Sequence, residues 1–117
     1  METIDAVAAL TALAQDSRLD VYRLLVRAGP QGMPAGTIAS ELELAPNTLT
    51  FHFDRLRQAG LVSVRREGRQ MIYAARYDTM NGLIGFLTEN CCGGAPEQCA
   101  PAAVCNPVAA KRNKQPA

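Results

Sequence analysis

Apolar residues recur at intervals of three to four along the first half of the chain, a spacing typical of amphipathic helices. Patterns of this kind run over residues 3–14, from Asp16 or Ser17 to the Gly29-Pro30 pair, and over the shorter segments 34–42 and 46–59. In the first segment the stripe consists of Ile4, Val7, Ala8, Leu10, Thr11 and Ala14. We therefore predict four helices, the last two joined by a tight turn.

The fourth segment carries the clearest helical signals. Pro46 suits the first position of a helix, where a missing amide hydrogen breaks no intrahelical bond. Leu49, Phe53 and Leu56 follow at i, i+4 and i+7, so we assign them to the core. Gly60 then ends the helix.

After Gly60 the pattern changes from helical to alternating, which predicts a β-hairpin over residues 61–76 with its turn at 67–69. Residues 78–91 return to helical spacing. The stripe of this last helix contains Met80, Leu83, Ile84, Leu87 and Cys91. The predicted fold is mainly α with one β-hairpin, in the order α-α-α-α-β-β-α over residues 1–92. Residues 93–117 are rich in Cys, Pro and Ala and predict a flexible tail.

Composition narrows the class of protein. The chain has 117 residues, 48% of them hydrophobic and only 5% aromatic, which favours one domain with a small-residue, largely helical core. Its longest apolar runs cover five residues, as in residues 6–10, whereas a membrane helix needs about 20. The N-terminus is acidic, unlike a secretory signal. We expect no membrane partner, a cytoplasmic location and reduced cysteines.

Charge is unevenly distributed. Residues 50–76 carry six Arg against Asp54 and Glu67, giving +4 in a chain whose net charge is +1. A solvated charged face would explain such a run equally well on charge alone. Because all six cations are Arg, which binds phosphates and guanine edges through a planar fork, the composition favours nucleic acid.

Two short helices, a tight turn and a basic hairpin occur in the order of a winged helix-turn-helix. Residues 46–59 are then the reading helix and residues 61–76 the wing. The candidate DNA contacts are Asn47, Thr48, Thr50, Phe51, His52, Arg55, Arg66 and Arg69. His52 has two interpretations, a phosphate contact or a structural hydrogen bond beside the turn. A single reading helix implies a homodimer, since specific operators usually present two half-sites.

Four cysteines close to the C-terminal end form the second candidate site. Cys91 and Cys92 are adjacent and precede two glycines, and Cys99 and Cys105 follow. This spacing does not suit zinc, whose structural sites pair cysteines two to four residues apart. At a frayed helix end the glycines allow the chain to fold back and gather three sulfurs. Three thiolates suit a soft ion such as As(III). We predict Cys91, Cys92 and Cys99 as ligands, Cys105 as a further candidate, and Sb(III) as a second ion.

From about Ala9 to Leu87 the sequence resembles the ArsR/SmtB family of bacterial metalloregulatory repressors. The most specific matches are the His52-Phe53 pair, the AGLV that follows the reading helix and the REGR of the wing. The resemblance implies a homodimer built on the first and last helices that leaves an inverted-repeat operator when an inducer binds. The motif ENCC, residues 89–92, is similar to the subgroup of arsenic repressors, which implies arsenite as inducer and a role in arsenical resistance.

Several alternatives remain open at this stage. Cys91 could be a buried small hydrophobe, and the tail could be irrelevant to a repressor that senses no metal. Exposed adjacent thiols could serve a redox-sensing repressor instead. A thiol-disulfide enzyme is the alternative of another class, but the chain has no C-x-x-C motif on a βαβ pattern and no second His to activate a thiol. We predict that the protein is not an enzyme.

Overall fold

A computed structural model of the protein describes residues 1–94. The helices are α1 (Thr3–Leu13), α2 (Asp16–Ala28), α3 (Ala35–Leu42), α4 (Pro46–Gln58) and α5 (Tyr77–Leu87). The strands are β1 (Met33–Pro34), β2 (Val62–Glu67) and β3 (Gln70–Ala75), and a 3-10 turn covers Cys91–Gly94. The predicted order of helices and hairpin is confirmed. The predicted tail, with Cys99 and Cys105, lies outside the described residues apart from Gly93 and Gly94.

The three strands form one antiparallel sheet in the order β1-β3-β2. In the hairpin, Val62 pairs with Ala75 and Glu67 pairs with Gln70, which leaves Gly68 and Arg69 as a two-residue turn. Gly68 has φ +62°, a conformation that glycine adopts without steric cost. Strand β1 was not predicted, because two residues are too few to show an alternating pattern and one of them is proline.

A single core joins the helices to the hairpin. Its largest fully buried side chains are Val21, Leu25, Ile38, Leu56, Leu61 and Val62. Leu49, Phe53 and Leu56 are all buried, as predicted for the inner stripe of α4. The reading helix is therefore fixed to the rest of the domain along one face and leaves the opposite face exposed.

Helix α1 buries the opposite face from the one predicted. All six residues of the predicted stripe are exposed, Ile4 at 77% and Val7 at 54%, whereas Ala6, Ala9 and Ala12 are buried. The alanines allow α1 to pack closely on α2 and α4, and it also contacts α5. Ile4, Val7 and Leu10 are consequently left facing outward, whereas Leu13 at the end of α1 packs against the core.

The last helix is shorter than predicted and ends at Leu87, which is itself exposed. The backbone N–H of Thr88 still donates to the Ile84 carbonyl, at 3.0 Å, but Asn90 then takes a left-handed φ of +56° that ends helical geometry. The spacing had predicted that Cys91 continues the apolar stripe of α5. In the structure it does not, because α5 ends at Leu87. Among residues 1–94 no helix is long and apolar enough to cross a membrane.

Candidate nucleic-acid interface and thiol pair

The reading helix α4 follows a tight turn whose geometry is set by the end of α3. Glu43 has a left-handed φ of +54°, and the next amide, that of Leu44, donates to the Ala39 carbonyl at 3.0 Å. Pro46 occupies the first turn of α4, as predicted. Asn47, Thr48 and Thr50 are exposed in its first turns. This end of the helix presents short polar groups of the kind that contact base edges and phosphates.

The wing is attached to the reading helix by aromatic stacking. The rings of Phe53 and Tyr73 are nearly parallel, with centroids 3.6 Å apart and an interplanar angle of 10°. The Leu61 amide also donates to the Leu56 carbonyl at 2.9 Å, directly after the helix. These contacts hold the hairpin and helix as one unit, so the orientation of the wing is fixed before any DNA arrives.

The six arginines of the basic segment fall into two groups. Three form ion pairs with neighbouring carboxylates: Arg57 with Asp54 at 3.6 Å, Arg65 with Glu67 at 2.7 Å and Arg76 with Asp78 at 3.0 Å. The other three, Arg55, Arg66 and Arg69, are exposed and have no ion pair within the described part of the chain. They are the three arginines that the sequence assigned to DNA, and their charge is the part available to phosphates.

Phe51 lies on the exposed face of α4 between two guanidinium groups. Its side chain is 49% exposed, with Arg55 4.9 Å and Arg18 5.8 Å from the ring centroid. Both distances are within the range of cation–π contacts. Phe51 is thus an apolar group held inside a polar and basic surface.

His52 differs from the other predicted contacts because it is buried, with 4% of its surface exposed. Its Nδ1 accepts a hydrogen bond from Arg18 Nε at 3.4 Å, and Arg18 Nη1 also donates to the Ala12 carbonyl at 3.1 Å. Burial, and next the charge of Arg18, lower the pKa of His52 below its ordinary value of 6.5. Of the two interpretations of His52, the geometry favours a structural hydrogen bond over a phosphate contact, since a buried imidazole offers a phosphate no accessible donor.

The thiol pair, Cys91 and Cys92, is exposed in the 3-10 turn just beyond α5. The two Sγ atoms are 3.6 Å apart, and the Cys91 amide donates to the Thr88 carbonyl at 2.9 Å. Two thiolates on one ion at about 2.3 Å, with bond angles near 100–110°, lie about 3.5–3.8 Å apart. The spacing of the pair therefore fits chelation of a single ion. No cluster of three ligand side chains occurs among residues 1–94.

Comparison with known proteins identifies the class. A family model described as a helix-turn-helix domain matches residues 13–65. The transcriptional activator HlyU of Vibrio cholerae serotype O1 is 30% identical over 82 residues, which are 70% of this chain and 73% of that protein. The chain belongs to the helix-turn-helix transcriptional regulators. Because the matching proteins are regulators of transcription, the prediction of a DNA-binding protein rather than a thiol-disulfide enzyme is confirmed.

Comparison with solved structures identifies the type of helix-turn-helix fold in this regulator. HlyU from V. cholerae N16961 has a TM-score of 0.60 and 30% identity, covering 74% of this chain and 97% of that one. An ArsR-like regulator from Rhodococcus sp. RHA1 reaches 0.66 at 21% identity, covering 81% and 85%. A homodimeric winged helix-turn-helix domain from Mycobacterium bovis reaches 0.59 at 24% identity, covering 74% and 80%. The predicted winged helix-turn-helix fold, of ArsR type, is confirmed.

The sequence did not reveal two features of this regulator's site. Arg18 links the end of α1 to the reading helix, yet it lies 34 residues from His52 and nothing in the local pattern singles it out. Arg65 donates to the Gln31 carbonyl at 2.8 Å and so ties β2 to the loop before β1. A charge count cannot distinguish such structural arginines from those available to DNA.

Proposed function

We propose that this helix-turn-helix regulator is an arsenite-responsive repressor. A homodimer binds operator DNA through α4 and the wing, and leaves it when As(III) binds Cys91, Cys92 and a third thiolate from Cys99 or Cys105. The observation that carries the proposal is the exposed pair of sulfurs 3.6 Å apart at the end of α5. Sb(III), with the same preference for thiolates, is expected to act in the same way.

The chemistry of the thiol pair favours this inducer. Arsenous acid exchanges its three hydroxyl groups for three thiolates, and three water molecules leave with the thiol protons. No electron is transferred, so no oxidant is needed. Exposed thiols are accessible to such an exchange, and adjacent thiols already near the required separation lose little freedom on binding.

The position of the thiol pair gives it a route to the reading helix. Helix α5 ends only a few residues before Cys91 and packs against α1, which itself packs against α4. Binding of an ion that draws in Cys99 or Cys105 would reorganise the chain beyond α5. If α1 and α5 form the dimer interface, that change alters the spacing of the two reading helices on DNA.

The exposed face of α1 supports a homodimer. Ile4, Val7 and Leu10 lie on it, and such residues seldom remain in water when a partner can cover them. The domain of Mycobacterium bovis with the same fold is itself homodimeric. We expect Ile4→Glu to yield a monomer with unchanged helix content, measured by sedimentation velocity and circular dichroism. Met71→Glu, in the exposed wing, should remain dimeric; two dimeric variants would exclude α1 from the interface.

The decisive experiment is an operator titration. A duplex is first selected from a randomised library with the reduced full-length protein, and its affinity is then measured with and without sodium arsenite. We expect arsenite to weaken binding by about 5- to 150-fold, the usual range of allosteric coupling. Cys91→Ser and Cys92→Ser should bind DNA normally and ignore arsenite. Comparing Cys99→Ser with Cys105→Ser assigns the third ligand, and undiminished affinity in arsenite would refute the proposal.

A redox-sensing regulator is the second candidate, favoured by the exposure of the same two thiols. It predicts that hydrogen peroxide releases the duplex whereas arsenite does not. X-ray absorption on the reduced protein separates the two candidates, because three As–S bonds per site are expected only for the first. A reporter gene behind the selected duplex tests the direction of control, since HlyU of V. cholerae is described as an activator.

A further inference from the structure

Phe51 is an exposed aromatic residue of α4 that lies outside the buried face of this helix. The inner face of α4 is already filled by Leu49, His52, Phe53 and Leu56. Phe53, two residues further on, is 2% exposed, whereas Phe51 is 49% exposed. Exposure of a single apolar residue is common on protein surfaces, so the informative observation is where Phe51 lies: on the exposed face of the reading helix, with cations over its ring.

The surroundings of Phe51 indicate the chemistry of that partner. Arg55 and Arg18 lie over its ring at 4.9 and 5.8 Å, and the polar Asn47 is one turn earlier on the same helix. Two cations beside the ring would oppose burial against an apolar protein surface, because both would have to leave water. They favour an anionic partner that nevertheless offers an apolar group.

Duplex DNA offers such a group in the major groove. Among the four bases only thymine displays a methyl group there, and phenylalanine, which lacks a hydrogen-bonding group, can recognise a base edge in this groove through apolar contact with that methyl. The contact between Arg55 and the Phe51 ring, at 4.9 Å, also favours binding to DNA. A guanidinium already held on the ring loses less side-chain freedom when it binds a neighbouring base edge or phosphate.

We propose that Phe51 is a specificity-determining residue that packs on the C5-methyl group of one thymine in each operator half-site, with Arg55 braced on its ring. This rests on the DNA-binding part of the proposed function and on neither arsenite nor the thiol pair. It makes the prediction that one thymine per half-site is recognised by its methyl group alone.

Replacing thymine with deoxyuridine tests this directly, since only the methyl group is lost. In the duplex selected with the full-length protein, each thymine is replaced in turn and the affinity measured. At one position per half-site we expect about a fourfold loss, which corresponds to about 0.8 kcal/mol for one methyl group. Replacement in both half-sites should cost the dimer about 15-fold if the two effects add.

Phe51→Ala should bind the original and the deoxyuridine duplex equally at that position. Phe51→Leu, which keeps an apolar contact, should retain part of the discrimination, and Gln58→Ala, an exposed change on the same helix, should retain all of it. If wild-type protein and Phe51→Ala respond alike to every replacement, the role of Phe51 is refuted while DNA binding stands. If no duplex is enriched at all, the proposed function falls and this assignment falls with it.

Discussion

The reading helix is held by core contacts along its whole inner face, whereas the thiol pair is held by local contacts at the exposed end of α5. Phe53 stacks on Tyr73 of the wing, and Leu49 and Leu56 are buried beside it. Around Cys91 and Cys92 the backbone bond from the Cys91 amide spans only three residues, and both side chains are exposed. The reading helix is thus fixed by the packed core, whereas the two thiols lie on an exposed turn.

This difference suits the two tasks. A DNA-reading surface gains affinity when its groups are already oriented, since less freedom is lost on binding. A ligand sensor must instead change conformation when its ligand binds. A ligand that binds both conformations of a protein with equal affinity does not change their populations. In the proposed arsenite site, recruitment of a third thiolate from Cys99 or Cys105 would couple ion binding to movement of the chain.

The largest expected difference between the reading helix and the thiol pair is in their contribution to the free energy of unfolding. Phe53→Ala removes the ring that joins α4 to the wing, and we expect a loss of about 3–5 kcal/mol in the free energy of unfolding, as for other buried Phe→Ala changes. Cys92→Ser, at an exposed position, should change it by no more than about 0.5 kcal/mol. Chemical denaturation followed by circular dichroism measures both. Equal losses would mean that the thiol turn is as much part of the packed domain as the reading helix.

The next test concerns the arginines. Arg69→Ala removes a wing-tip charge that has no ion pair within residues 1–94, so the proposed homodimer should lose two phosphate contacts. The slope of log affinity against log salt should become shallower by about 2, at about 0.9 per phosphate. Arg76→Ala deletes an equal charge from a guanidinium paired with Asp78 and should change the slope less. If Arg76→Ala changed the salt slope more than Arg69→Ala, the division into ion-paired arginines and arginines available to phosphates would be wrong.

Much of the reading region could be predicted from sequence because its signals are local. Pro46, Gly60 and the spacing of Leu49, Phe53 and Leu56 determine where α4 begins, ends and packs. The hairpin turn follows from Gly68 in the same way. The outcome for His52 was left open, because its hydrogen-bond partner Arg18 comes from another helix, 34 residues away in the sequence.

The errors arose where tertiary packing decides between two local patterns. In α1, both the alanines and the larger residues recur at helical spacing, and the close approach of α2 and α4 selects the alanines. The predicted length of α5 was wrong because the sequence spacing extends the apolar stripe to Cys91, although the backbone leaves helical geometry at Asn90. The role of Cys91, Cys92, Cys99 and Cys105 as ligands remains a prediction.

The smallest expected effect is on the pH dependence of stability, through the partly buried hydrogen bond from Arg18 of α2 to His52 of the reading helix. Burial and the nearby charge of Arg18 lower the pKa of His52, so the folded protein resists protonation that the unfolded chain accepts below its ordinary pKa of 6.5. As the pH falls through that range the unfolded state binds more protons, and stability decreases by the linkage relation until the folded state is protonated too. We expect the melting temperature of the wild type to fall more steeply between pH 7.5 and 5.5 than that of His52→Gln, which can still accept from Arg18. Parallel curves would show that His52 is not the residue through which the domain responds to acid.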